Sequence, residues 1–220
     1  MKPLAAYAAA ASFLLSPGVA AGQPTARPEP VMRADVAVIA GWLHVDRPEL
    51  DYDNWINDLG FVGGGAGWYW TDNLKTVIDA GVSSSAERYA TRQLLVGGAP
   101  VYAATRYRFS TRSLTIGQHY QFYRNVWFHP HVGGGLALTW EKSRREDEPA
   151  YVFDPVTRRS LPAVGPRTFP TETNLVARPY AEAGFKAYFS QRVFFRSDLR
   201  MAMWNGVDEV VLRFGAGVDF

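Results

Sequence analysis

The chain has 220 residues, 23 of them basic and 21 acidic, a net charge of +2 and no cysteine. Charges of both signs are interleaved and no basic block stands out, which argues against a nucleic-acid surface; the absence of thiols argues against a small disulfide-stapled scaffold. Beyond the first residues no apolar run approaches the ~20 residues of a transmembrane helix.

The N-terminus reads as targeting. Lys2 precedes an Ala/Leu-rich run from Leu4 to Leu15, and Ser16-Pro17-Gly18 then breaks it ahead of Val19-Ala20-Ala21. That order predicts a signal peptide over residues 1–21, cleaved after Ala21 or Ala20, and the apolar run is too short for an uncleaved anchor. Residues 22–30, Pro-rich and polar, are expected to be a disordered lead-in, and residues 31–220 one domain.

In that domain the dominant signal is period-two alternation, which separates two faces on a strand and scatters them on a helix. Val31 to Val45 and Leu59 to Trp70 alternate weakly, apolar on both faces, and leave their phase open. In the next strand Ile78, Ala80 and Val82 oppose Lys75, Asp79, Ser83 and Glu87. Leu114, Ile116, Tyr120 and Phe122 oppose Thr115, His119 and Gln121; Val132, Leu136, Leu138 and Trp140 oppose His129, His131, Thr139 and Glu141. Arg178, Tyr180, Glu182, Lys186 and Tyr188 share one face of Leu175 to Phe189, and Arg196, Asp198 and Arg200 one face of Arg192 to Trp204. The last strand, Val207 to Phe220, sets Val210, Leu212, Phe214, Ala216, Val218 and Phe220 against Glu209, Val211, Arg213, Gly215, Gly217 and Asp219.

Eight such segments are joined by links that alternate in length. Thr71-Asp72-Asn73, Arg124-Asn125 and Ser190-Gln191 are tight, whereas Asp46 to Asn57, Thr91 to Arg106 and Lys142 to Glu172 are long, with a brief Asn205-Gly206 last. With the N-terminus in the periplasm all tight links fall on that side, the asymmetry of an outer-membrane barrel. The expected fold is therefore all-β: an eight-stranded antiparallel up-and-down transmembrane β-barrel preceded by a signal peptide. An apolar face turned to lipid agrees with strands long enough to cross a bilayer, and with aromatics near the ends of that face (Trp42, Trp140, Phe189, Phe195, Phe214, Phe220). The inward face then carries five basic and five acidic residues, Asp79, Glu87, Arg178, Glu182, Lys186, Arg196, Asp198, Arg200, Glu209 and Arg213. Buried charges have to pair, so a closed, salt-bridged lumen is expected rather than a wide pore.

The ending Val211 to Phe220 resembles the closing strand of bacterial outer-membrane proteins, and His129-Pro130-His131-Val132-Gly133-Gly134-Gly135-Leu136 is similar to the Pro-x-Val-Gly-x-Gly strand of the small OmpA-like, OmpX-like and OmpW-like barrels. Val193 to Arg200 fits their penultimate strand. The resemblance implies an integral outer-membrane protein surrounded by membrane lipid and lipopolysaccharide. It also implies that Phe220 is part of the signal read by the barrel-assembly machinery. With no wall-binding domain after the barrel, a wall-anchoring role does not carry over.

Arg88, Arg92, Arg106, Arg108 and Arg112 cluster about the second long link and are candidates for lipopolysaccharide phosphates. No catalytic residue, cofactor or metal is expected; the nearest to a metal site is His119, His129 and His131. The tight turn after β-strand residue Phe122 is expected to place His119 opposite His131 and Gln121 opposite His129, ~5 Å apart at Cβ. For a lipid-A-modifying enzyme of PagL or PagP type, the PagL-like His-x-Ser pattern is absent, and Ser83, Ser85 and Ser113 have no assigned base. The glycine triplets Gly63–Gly65 and Gly133–Gly135 lack the Gly-Lys-Ser/Thr of a phosphate loop. The resulting expectation is a non-enzymatic barrel displaying external loops for envelope integrity or surface contact, its external partner not identified by the sequence. The other readings are the lipid-A enzyme and an OmpW-type passage for small solutes.

Overall fold

The computed structural model describes residues 33–46, 55–96, 99–122, 127–154 and 156–220. The expected signal peptide and lead-in, the Arg124-Asn125 turn and most of the Asp46 to Asn57 link lie outside the described residues.

The strands are β1 (Ala34–Asp46), β2 (Trp55–Tyr69), β3 (Leu74–Ser83), β4 (Ala86–Val96), β5 (Ala99–Gln121), β6 (Phe128–Asp147), β7 (Ala150–Asp154), β8 (Arg159–Val164), β9 (Arg167–Thr168), β10 (Glu172–Tyr188), β11 (Val193–Met203) and β12 (Val207–Asp219). Each wall strand pairs antiparallel with its sequence neighbours, and β1 pairs with β12 from Asp35↔Asp219 to Val45↔Glu209. The sheet therefore closes. β3 and β4 occupy one position in the wall, because both pair with the long β5, so the barrel has eight staves, ordered β1, β2, β3/β4, β5, β6, β10, β11 and β12. Where the staves pair all the way round, closure removes the exposed strand edges that an open sheet would present.

Period-two burial follows from the pleat. Asp35, Ala37, Ile39, Leu43 and Val45 point inward, whereas Val36, Val38 and Trp42 are exposed outside. This resolves the phase that the apolar β1 and β2 leave open. Outside, Val62, Ile78, Leu114, Ile116, Val132, Leu136, Leu212 and Val218 form an apolar band. Large apolar side chains on so continuous an outer surface belong against acyl chains, not water. Near the tight turns the band ends in Trp68, Trp70, Trp127, Phe189 and Phe220. Across it runs an oblique aromatic row, Phe128–Phe185–Phe195–Phe214–Trp42, with neighbouring centroids 5.1 to 6.3 Å apart.

Two expected links are strands instead. Thr91 to Arg106 lies mostly within β4 and β5, which pair from Ala86↔Phe109 to Val96↔Ala99 as one long hairpin. Lys142 to Glu172 begins as the continuation of β6, paired with β5 as far as Thr105↔Asp147, and continues through the β7–β8 hairpin and β9. With 23 residues β5 extends about 75 Å at ~3.3 Å per residue, far beyond the ~9–11 residues that cross a bilayer. Polarity, not strand length, marks where its membrane part ends, and a polar strand resembles a polar loop in sequence.

Ser84 and Ser85 interrupt the alternation between β3 and β4. A slip of one residue flips every following side chain, so Asp79 points inward while Glu87, expected in the lumen, pairs with Arg108 on the outer side. The same interruption splits the wall. Above Gly60, β2 pairs with β1 and β4 pairs with β5, but β2 and β4 do not pair with each other. Ser84 ties the junction through N–H to Gly60 O (2.7 Å) and Oγ to Gly60 N–H (2.9 Å), and Arg88 bridges to Asp58 at 2.8 Å.

Candidate functional site

Charged and polar side chains are layered along the lumen. At the tight-turn end Lys186 Nζ donates to Asp35 (2.7 Å), Asp219 (3.0 Å) and the Tyr69 hydroxyl (3.1 Å). Lys75 donates to the same Asp35 oxygen at 2.7 Å, and the Tyr188 hydroxyl donates to Asp219. Lys186 also lies 3.8 Å from the centre of the Phe194 ring, a cation–π contact inside the wall.

The middle layer joins three arginines to three carboxylates. Arg213 donates to Asp79 (2.8 Å), to Glu182 (2.6 Å) and to Asp198. Arg200 donates to Asp79 (2.6 Å) and Glu182 (2.8 Å), with Thr115 Oγ1 as a further acceptor at 2.9 Å. Arg196 donates to Asp198 at 2.9 Å through Nε. All six charged side chains are buried. The forked guanidinium matches paired carboxylate oxygens, which is why arginine and not lysine holds this layer. Toward the loop end Arg178 pairs with Glu141 at 2.8 Å. Beyond it Leu43, Val45, Ile56, Leu59, Ala86, Phe109 and Val211 form an apolar plug.

Of the ten lumen residues expected from sequence, Asp79, Glu182, Arg196, Asp198, Arg200 and Arg213 converge in the middle layer. Lys186 belongs to the turn-end layer, Arg178 to the loop-end pair, Glu209 is buried on β12, and Glu87 lies outside. Among the described residues, Asp35, Lys75, Glu141 and Asp219 complete the buried charges. Asp35 sits in a strand too apolar to show its phase; Lys75, Glu141 and Asp219 lie on polar faces the alternation does identify. The buried set holds seven carboxylates (Asp35, Asp79, Glu141, Glu182, Asp198, Glu209, Asp219) and five cations (Lys75, Lys186, Arg196, Arg200, Arg213). Arg178, 11% exposed, makes a sixth.

The histidines take a different register from the expected one. His119 is opposite Gly133 and Gln121 opposite His131, a shift of two residues that keeps all four side chains on the inner face. Gly133 is what admits the imidazole: a Cβ there would meet the His119 ring, at 2.9 Å from Nε2, and the Gln118 carbonyl at 3.0 Å. His119 and His131 consequently stack diagonally, centroids 5.3 Å apart and planes 11° apart. His129 is not part of this pair; its ring packs on Tyr188 at 4.7 Å. Glu182 is instead the third member, with its Oε1 lying 3.6 Å from Nε2 of each of the two imidazoles.

A second cluster lies outside, above Trp140. Arg112, Ser110, Arg108 and Arg106 on β5 face Trp140, Lys142, Arg144 and Glu146 on β6. Like charges directly opposite destabilise a sheet. The Arg108/Arg144 pair is relieved by Glu87 and by Glu146, the latter 2.9 Å from Arg144. Arg112 and Lys142 are exposed on the same face. Of the other arginines expected here, Arg88 bridges the split wall to Asp58 and Arg92 lies on β4 opposite Ala103. Lys142 and Arg144 join the patch only through cross-strand pairing, which the sequence does not show.

No protein-family model matches the chain, nor does any curated protein. Solved structures do resemble it. The Neisserial surface protein A aligns at a TM-score of 0.53 and 12% identity, over 85% of this chain and 97% of that one. OprG of Pseudomonas aeruginosa aligns at 0.50 and 12%, over 86% and 97%. The attachment invasion locus protein Ail of Yersinia pestis aligns at 0.50 and 9%, over 86% and 99%. At these identities the likeness establishes the fold, and that fold is the small closed β-barrel of bacterial outer-membrane proteins.

Proposed function

We propose that the chain is a non-enzymatic outer-membrane scaffold whose sealed barrel carries the long β4–β5 and β6–β10 projections outside the cell. The observation that carries this reading is the middle layer of the lumen, where Arg196, Arg200 and Arg213 bind Asp79, Glu182 and Asp198 across the bore. Desolvated ion pairs of this kind cannot part to admit a solute without leaving charges uncompensated. The apolar plug at the loop end supports the same reading. Ser83, beside the wall split, accepts from the Thr111 N–H at 2.8 Å and donates to the Ser84 carbonyl. Both contacts are to backbone, whereas a hydroxyl nucleophile needs an imidazole within reach.

In this reading the membrane partner is lipopolysaccharide, held at the band's upper edge by Arg106, Arg108, Arg112, Lys142 and Arg144. These are five cations against Glu87 and Glu146, beside Trp140 at the interface, a chemistry suited to lipid phosphates. In the same reading Phe220, exposed where β12 meets β1, is an aromatic available to the assembly machinery. The names of two relatives in fold, a surface protein and an attachment protein, agree with a role at the cell surface. Planar-bilayer recording of the refolded barrel tests the sealed scaffold. No steady conductance is expected, and a stable open channel would contradict the reading.

A further inference from the structure

We infer that the lumen contains a transition-metal site, formed by His119, His131 and Glu182, that takes a zinc ion and staples three neighbouring staves. The ligand atoms of these three buried side chains all lie within 4.8 Å of one another. They come from β5, β6 and β10, consecutive in the wall. Two imidazoles and a carboxylate form a borderline donor set well suited to zinc, which takes His nitrogen at ~2.0–2.1 Å and carboxylate oxygen at ~2.0–2.2 Å. Tetrahedral angles at those bond lengths separate nitrogen and oxygen by about 3.4 Å; the observed separation is 3.6 Å for each imidazole Nε2 from Glu182 Oε1.

The hydrogen bonding around these atoms points the same way. Nε2 of His119 and both ring nitrogens of His131 are buried with no hydrogen-bond partner among the described residues. A separation of 3.6 Å is too long for either imidazole to donate to the carboxylate. Glu182 Oε2 is taken by Arg200 and Arg213 at 2.8 and 2.6 Å, whereas Oε1 accepts one long hydrogen bond, from Arg196 at 3.3 Å. Arg196 is itself held by Asp198 at 2.8 Å. Oε1 is thus only lightly committed, and both imidazoles face it. A metal ion accepts all three lone pairs at once, which one proton cannot do. Charge favours it as well, since the buried carboxylates outnumber the buried cations even when Arg178 is included. Gly133 leaves the imidazole of His119 its room.

The test uses the full barrel, stripped of metal while unfolded and refolded in detergent with and without zinc sulfate, so that burial does not block loading. Zinc per folded barrel is counted after gel filtration, and cobalt in place of zinc gives visible bands that report nitrogen and oxygen ligation. One zinc per barrel is expected, held at least tenfold more weakly in His119→Gln and in His131→Gln, and unchanged in His129→Gln. Heat-modifiable migration on gels confirms that each variant is folded. A folded wild-type barrel without zinc overturns the inference. So does a barrel whose zinc content is the same in His119→Gln and His131→Gln as in wild type.

Discussion

Arg213 on β12 reaches Glu182 on β10 at 2.6 Å, spanning the intervening stave through the bore. Arg213 also holds Asp79 on β3 and Asp198 on β11, so one side chain ties four staves together. Removing one partner of a buried pair strands the others, at a cost of about 3–5 kcal/mol. Arg213→Ala is expected to lose stability on that scale in urea unfolding from lipid vesicles. Arg213→Met with Glu182→Gln should recover part of the loss, because fewer charges are then left uncompensated.

The turn-end layer gives a separable prediction. Lys186 is shared by Asp35 and Asp219, which lie opposite each other where β1 meets β12. Lys186→Ala leaves Asp35 to Lys75 alone and takes from Asp219 its lysine, at the seam that closes the barrel. Unfolding in urea should show a loss of about 3–5 kcal/mol, and Lys186→Ala with Asp35→Asn should lose less than the sum of the two single changes.

Gly133 tests how tightly the lumen is packed. A side chain there meets the His119 ring and the Gln118 backbone, so Gly133→Val is expected to cost about 1–3 kcal/mol through overpacking. Gly165, where an added Cβ would have no described residue within 4 Å beyond its chain neighbours, should accept Ala with little change. Thermal or urea unfolding of the two variants side by side provides the comparison.

At the outer patch, Arg112→Ser with Lys142→Ser removes the two cations left to the solvent side of Trp140, without touching the pairs made by Arg108 and Arg144. The double variant should fold normally and retain less lipopolysaccharide through purification, measured by phosphate and fatty-acid analysis. Equal retention would remove the patch from the account.

Much of this architecture is legible in alternation alone. β12 and β10 have one plainly apolar and one plainly charged face, so their inward residues Arg213, Glu182 and Lys186 can be picked out in advance. β1 and β2 cannot be read that way, because the loop end of the lumen is apolar and Leu43 and Val45 look the same as lipid-facing residues. Glu87 is misplaced by a one-residue interruption at Ser84-Ser85 that has no strong sequence mark. The histidine pair fails for a related reason. Its register depends on how many residues the turn consumes, and a shift of two leaves every face unchanged while exchanging His129 for Glu182 as the neighbour.

The most direct test of the account is the surroundings of Ile116, half exposed on the outer face opposite Leu136. The chain has no cysteine, so Ile116→Cys and Leu136→Cys can each carry a single spin label in vesicles without background. Relaxation by oxygen, which partitions into acyl chains, should be strong at both sites, and relaxation by a water-soluble nickel chelate weak. Strong nickel relaxation at these two positions in the folded protein would mean that the apolar band meets water, and would contradict the lipid-facing barrel.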